Sequence, residues 1–287
     1  MKGEKVTTIT FQEMKDQGEQ IVMLAAYDYP TARMIDEVGI DAILVGDSVS
    51  NVVLGYEDTL AVSMNEMIHH TKAVSRGVDR ALVIGDMPFM SYQTSAEDAI
   101  RNAGRFLKDG GAEAVKVEGG RGVIDKIEAI IESGTPVMGH LGLTPQWIHQ
   151  FGGFKIQGKT SEAAKLIVED AKRLEQTGVF SIVLECVPRE LSKIITGEVS
   201  VPTISCGAGP DCDGQVLVLH DILGLSGMTP KFAKKYVDLA PQIQEALANF
   251  REEVKARKFP TRNHSFKMEE KEIKSLKGYL SKSREAK

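Results

Sequence analysis

Several familiar signals are missing from this chain of 287 residues, and each absence narrows what it can be. Its three cysteines, Cys186, Cys206 and Cys212, form no Cys-x-x-Cys pair, which argues against a zinc ribbon or a thioredoxin-type motif. An odd number of cysteines in a chain too long to need disulfide staples points to a reducing, cytoplasmic compartment. No apolar run reaches the length of about 18 residues that a membrane span requires. The N-terminus, Met1-Lys-Gly-Glu-Lys-Val-Thr-Thr8, has no apolar signal region. A net charge of −5 and a pI near 5.8 leave no basic domain for nucleic acid. No Gly-x-Gly-x-x-Gly follows the first strand-like segment, which weakens a dinucleotide-binding reading.

What is present is an ordinary globular composition, 42% hydrophobic and 26% charged, sufficient for one large core. Charge is spread unevenly. Residues 251–287 carry 12 Lys and Arg against 6 Asp and Glu, leaving 23 against 34 in the first 250. An acidic body and a basic tail can attract one another, within a chain or between subunits. The most informative stretch is Ala42-Ile-Leu-Val45 followed by Gly46-Asp47-Ser48. A short apolar run suits a strand buried on both faces of a parallel sheet. A glycine, a carboxylate and a hydroxyl at its end fill no core, and suit a strand end that meets a ligand.

The same grammar recurs in Leu82-Val-Ile-Gly-Asp86, Ala114-Val-Lys-Val-Glu118 and Ile182-Val-Leu-Glu185. Eight strand-like segments begin with Ile21 to Ala26 and end with Gln215 to His220. A helix is expected over Thr10 to Gln17, and others start at Pro30, at Ser63 with Glu66 as a capping box, and at Thr94 or Ser95. Strand five is expected over Pro136 to Met138, with His140 at its end, and amphipathic helix over Lys231 to Ala256. Eight strands with polar ends favour an α/β fold of the (β/α)8 TIM-barrel type over a doubly wound sheet. The expected layout is a single catalytic domain over 1–266, with an N-terminal helix, and a basic helical C-terminal tail over 267–287.

Asp47, Asp86 and Glu118 end strands two, three and four, so three acids converge on one rim. Left unpaired they repel, and one takes up a proton. A hard divalent cation resolves this, and an oxygen-rich set suits Mg²⁺. The alternative is ordinary helix capping at βα turns. Lys116, two residues before Glu118, points to the same side of its strand and suits an anionic substrate group. Glu185 ends strand six, where it can act as a general base or pair with Arg189. His140 can be a ligand, a donor to substrate or a satisfied core histidine. Gly207-Ala-Gly209 suits a phosphate cradle or a close-packed turn.

Between residues 8 and 266, many segments occur together in a familiar order. They include Ala26-Tyr-Asp-Tyr29, Leu44-Val-Gly-Asp-Ser48, Asp86-Met-Pro-Phe-Met90 and Lys116-Val-Glu-Gly-Gly120. Later come Gly139-His-Leu-Gly-Leu-Thr-Pro145, Gly152-Gly-Phe-Lys-Ile-Gln-Gly158, Leu184-Glu-Cys-Val-Pro188 and Asp213-Gly-Gln215. In these the chain resembles the ketopantoate hydroxymethyltransferase family. The resemblance implies a barrel of the phosphoenolpyruvate mutase and isocitrate lyase group. It implies Mg²⁺ held through Asp47 and Asp86, with Glu118 at or beside it. It implies a 2-oxo acid bound by Ser48 and Lys116 with His140 in the pocket, and Glu185 as the base. The implied reaction moves a hydroxymethyl group from 5,10-methylenetetrahydrofolate to 3-methyl-2-oxobutanoate through a Mg-stabilised enolate. The product is 2-dehydropantoate, on the route to pantothenate and coenzyme A. The folate tail would meet Lys155, Lys159 or the cations of the tail. A cytoplasmic homo-oligomer, a decamer, is implied, with no membrane or nucleic-acid partner. Ser205-Cys206 stand where the family usually has Gly-Ile. The alternatives are a Mg-dependent C–C lyase or mutase acting on another 2-oxo acid, and a metal-dependent binding protein.

Overall fold

The computed structural model describes residues 4–227 and 229–285; residues 1–3 of the expected barrel segment and 286–287 of the tail lie outside them. Eight parallel strands close into a barrel in chain order. They are β1 (Ile21–Ala25), β2 (Ala42–Val45), β3 (Leu82–Asp86), β4 (Ala114–Glu118), β5 (Val137–Gly142), β6 (Ser181–Glu185), β7 (Thr203–Cys206) and β8 (Gly214–Val218). The expected (β/α)8 architecture is therefore present.

Helices cover the strands where the sequence places start signals. In α1 (Thr8–Gln17) Thr7 and Thr10 form a reciprocal cap. In α2 (Tyr29–Glu37) the Asp28 carboxylate accepts from the Thr31 N–H. A short α3 (Val49–Val52) follows β2, and Ser63 with Glu66 boxes the start of α4 (Met64–Ser75). Ser95 caps α5 (Ala96–Arg105), which runs on into a π turn over Phe106–Gly110. Then come α6 (Ile124–Glu132), α7 (Ile148–Phe151), α8 (Ser161–Thr177), α9 (Arg189–Glu198) and α10 (Leu219–Leu223).

Two expectations need correction. Strand five runs on to Gly142, because Leu141 and Gly142 continue the ladder to Leu184 and Glu185; His140 therefore lies inside the strand. Residues 231–238 are not helical. The N–H groups of Tyr236 and Val237 donate to Ile222 O at 2.8 and 3.4 Å, so tertiary bonds replace the helical ones that an amphipathic pattern predicts. As expected, a loop and not a helix joins β7 to β8. Asp213 ties this link to the start of β7, accepting from the Thr203 N–H at 2.8 Å and from the Lys15 ammonium at 3.0 Å.

Side chains alternate across each strand, so one set points into the barrel. Its lower layers are apolar: Ile21, Met23, Ala42, Leu44, Leu82, Ile84, Ala114, Met138, Val183, Ile204 and Val216 form one buried cluster. Phe11 of α1 closes the lower end, edge-on to Phe180 with centroids 5.7 Å apart. Continuing the alternation upward brings Asp86, Lys116, Glu118, His140 and Glu185 to the upper end. The outward set forms a second cluster with the helices.

Contacts divide the chain into two compact units, Met1–Val237 and Asp238–Lys287. The second holds α11 (Leu239–Lys255) and α12 (Glu270–Glu285). Helix α11 buries no residue; Ile243, Leu247, Phe250 and Val254 on it are all exposed. No helix among the described residues is long and apolar enough to cross a membrane.

Gly85 shows how tightly the outer layer packs. A Cβ at this position of β3 would overlap the ring of Phe106, which is fully buried. Gly85→Ala should therefore lower stability by about 1–3 kcal/mol, the usual cost of overpacking a core, measured as the midpoint of chemical denaturation. Adding Phe106→Leu should recover part of the loss; no recovery would place the strain elsewhere.

Candidate active site

A cavity of about 490 Å³ opens at the upper end of the barrel. Asp47, Ser48, Asp86, Lys116, Glu118, His140 and Glu185 all line it, so every residue singled out for catalysis, substrate or metal reaches one space. Ladder register accounts for the grouping: Asp86 pairs with Lys116, Glu118 with His140, and Gly142 with Glu185.

Lys116 is the hub. Only 3% exposed, its Nζ lies 2.8 Å from Asp86 Oδ1 and 3.5 Å from Glu118 Oε1. It also sits 3.1 Å from His140 Nδ1. Neither of those carboxylate oxygens receives a well-directed hydrogen bond; each faces the ammonium instead. Asp86 Oδ2 accepts from the Asp47 N–H at 2.9 Å. His140 faces two carboxylates, Nδ1 3.4 Å from Glu118 Oε1 and Nε2 3.3 Å from Glu185 Oε2. It thus links the acid cluster to the half-buried Glu185. The alternative partner for Glu185 is not used, because Arg189 pairs with Glu190.

None of the three acids caps the helix that follows its own strand. Asp47 Oδ2 accepts from Gln146 Nε2 at 3.1 Å, and Glu118 Oε2 from the Gln146 N–H at 3.0 Å. Burial, followed by Asp86 and Glu118, pushes the Asp47 carboxyl well above its ordinary pKa. Burial and Glu118 hold Asp86 above its usual value against the pull of Lys116. Burial acts on Glu118 in the same sense, but Lys116 and His140 overcome it and hold Glu118 low. Burial and Lys116 disfavour a charged His140, and its two carboxylates outweigh them, so its pKa is raised.

Among the described residues no three His, Cys, Asp or Glu side chains are grouped as a ready-made metal site. The donor set nevertheless fits Mg²⁺. This ion is held through one or two carboxylates and keeps several waters or substrate oxygens. Asp47 and Asp86 provide two carboxylates at 4% and 1% exposure. Fully ionised, the three carboxylates and the Lys116 ammonium would leave two negative charges, which a dication would neutralise.

Two supporting residues carry no sequence signal beyond their place near a strand end. Tyr27, 1% exposed, has its hydroxyl 2.9 Å from Ser48 Oγ and sets that side chain's direction. Gln146 bonds both Asp47 and Glu118. A Cβ on Gly46 would come to 2.9 Å from Ser48 Oγ, so glycine leaves that hydroxyl its place. Gly207 and Gly209 are a close-packed turn, where added Cβ atoms would meet Phe232 at 2.7 Å and Arg189 at 2.6 Å. Ser205 Oγ accepts from the Ala208 N–H at 3.0 Å within that turn. Cys206 lines the cavity, its thiol pushed well up by burial and by Glu185.

A closed parallel barrel with acids at its upper rim is a known enzyme scaffold. The fold is similar to a phosphonopyruvate hydrolase solved with oxalate and Mg²⁺, with a TM-score of 0.62 at 14% identity over 96% of each chain. It is also similar to 2,3-dimethylmalate lyase, a member of the PEP mutase/isocitrate lyase superfamily, with a TM-score of 0.55 at 16% identity over 98% of each chain. These likenesses place the fold. Sequence places the family: residues 5–262 match ketopantoate hydroxymethyltransferase, and the chain belongs to that family. It is 56% identical over 273 residues to the 3-methyl-2-oxobutanoate hydroxymethyltransferase of Syntrophomonas wolfei, covering 95% of this chain and 99% of that one. The relative of the same name from Clostridium novyi matches to the same extent, 56% over 273 residues.

Removing the ammonium should strand the buried acids. Lys116→Met should lower stability at pH 8 by about 3–5 kcal/mol, the usual cost of leaving buried charge unpaired. Asp47 and Asp86 already have folded pKa values above the unfolded ones, and loss of Lys116 raises them further. The folded state then holds more protons than the unfolded chain above about pH 4, so its stability falls as pH rises. Denaturation of metal-free protein should show a smaller loss at pH 5 than at pH 8. An equal loss at both would contradict this picture of the cluster.

Proposed function

We propose that the protein transfers a hydroxymethyl group from 5,10-methylenetetrahydrofolate to 3-methyl-2-oxobutanoate, giving 2-dehydropantoate, with Mg²⁺ as cofactor. One observation carries the reading. In a member of this family, a net-negative acid cluster around Lys116 and a separate carboxylate, Glu185, share one cavity and are joined by His140.

Asp47 and Asp86 would hold Mg²⁺, with Glu118 beside it. When bound, the ion supplies Lewis acidity that draws charge from the keto group and makes the C3 proton removable. Ser48, directed by Tyr27, binds the 2-oxo acid. Glu185 takes the proton from C3, and His140 Nε2 faces that carboxylate at 3.3 Å. Lys116 keeps a fixed positive charge in the floor of the cavity, where charge develops on the keto oxygen. The C3–H bond breaks and a bond forms from C3 to the donor's one-carbon unit. Water supplies the hydroxyl, and tetrahydrofolate leaves. Lys155 lines the same cavity and suits the anionic folate tail, whereas Lys159 does not line it. A C–C lyase or mutase for another 2-oxo acid is the alternative, and family membership favours the transferase. The reading carries with it a cytoplasmic homo-oligomer, a decamer.

The purified protein should form ketopantoate from 3-methyl-2-oxobutanoate only when 5,10-methylenetetrahydrofolate is supplied. Cleavage of 2-oxo acids without folate would favour the lyase. Glu185→Gln should still bind the keto acid but lose C3 proton exchange in deuterated water. Rapid exchange in that variant would remove Glu185 from its role.

A further inference from the structure

Gln146 is 3% exposed, and its side chain has no hydrogen-bonding capacity left over. Its two Nε2 hydrogens go to Asp47 Oδ2 at 3.1 Å and to Met87 O at 2.9 Å. Its Oε1 accepts from Gln93 Nε2 at 3.1 Å and shares the single Tyr92 hydroxyl hydrogen with Glu118 O, each 2.9 Å from that hydroxyl. Met87 O can only accept, so it fixes which end of the amide faces Asp47. Gln146 also stands in the first turn of a short 3₁₀ helix, Pro145–Trp147, where backbone N–H groups lack partners within the helix. That N–H donates to Glu118 Oε2 at 3.0 Å. One residue from beyond β5 thus grips the ends of β2, β3 and β4 at once.

We propose that Gln146 is a positioning residue for the metal site, a role that rests on the Mg²⁺ reading above. Its amide occupies Asp47 Oδ2 and so turns Oδ1 toward the cation. Its peptide N–H occupies Glu118 Oε2 and leaves Oε1 facing Lys116 and His140. Asp47 is thereby a one-oxygen ligand of fixed direction, and Glu118 stays beside the ion. Shape alone does not account for this arrangement. An apolar side chain of the same volume would fill the space but free both Asp47 oxygens and leave Met87 O unpaired.

The test is Mn²⁺ titration of the whole protein, followed by electron paramagnetic resonance without substrate. Gln146→Met should bind Mn²⁺ about 10- to 100-fold more weakly, as expected when a partner of a metal ligand is removed. Tyr92→Phe removes the hydroxyl that the Gln146 amide shares with the Glu118 carbonyl but leaves both Gln146 contacts to the Asp47 and Glu118 carboxylates, and should lose clearly less affinity than the loss of about 10- to 100-fold expected of Gln146→Met. Equal affinities in Gln146→Met and wild type, or equal losses in both variants, would overturn the proposal and leave Gln146 a packing residue. Should Gln146→Met fail to fold by circular dichroism, Gln146→Asn keeps an amide one methylene too short for Asp47, and the same loss is expected. Asp86→Ala separates the two readings. If it binds Mn²⁺ as wild type does, the Mg²⁺ site itself is wrong and the role of Gln146 falls with it. If it loses binding while Gln146→Met does not, only the role of Gln146 is refuted.

Discussion

Everything at the upper end of this barrel depends on one buried ammonium. Lys116 lies within 3.5 Å of Asp86, Glu118 and His140. Burying a lone lysine would drive it neutral, and burying three acids together would drive them to protonate. Placed together they hold one another charged in part; fully ionised, the three carboxylates would outnumber the one ammonium by two charges. On the proposed reading, that surplus suits a dication rather than a closed salt bridge. Asp47 is held by a neutral amide, and burial together with Asp86 and Glu118 raises the pKa of its carboxyl.

The barrel delivers this cluster through strand alternation. Inward positions carry apolar side chains in the lower layers and charged ones at the top, so packing and chemistry share the same strands. The lower layers, closed by Phe11 and Phe180, give the site a rigid floor. Loops then add the parts that need freedom of placement: Ser48 from the β2 turn, Gln146 from the β5 turn, Lys155 from the glycine-rich segment. His140 is the exception, a strand residue that joins the acid cluster to Glu185. In the proposed reaction, it would make the base and the electrophilic end of the site one connected unit.

Much of this was legible in the sequence. Short apolar runs ended by acids announced the barrel, and the two-residue spacing of Lys116 and Glu118 announced a shared face. The capping boxes at Ser63 and the cap at Ser95 fell where polar side chains precede apolar periods. What stayed hidden was tertiary. His140 looked like a strand end because Gly139 and Gly142 read as loop, yet the ladder to β6 carries the strand past both. Residues 231–238 read as helix because local periodicity does not see Ile222 O competing for their N–H groups. Gln146 and Tyr27 were missed for the same reason. A glutamine or tyrosine near a strand end has no spacing that distinguishes it, and its role appears only when its partners are in place.

The central claim is that the surplus charge around Lys116 is matched to a dication held by Asp47 and Asp86. Crystals grown with Mn²⁺ and 3-methyl-2-oxobutanoate, measured at an anomalous wavelength, test it directly. The account predicts one strong peak in contact with Asp47 Oδ1 and an Asp86 carboxylate oxygen, with both keto-acid oxygens beside it. Bound keto acid with no peak there, or a peak held by other residues, would contradict it.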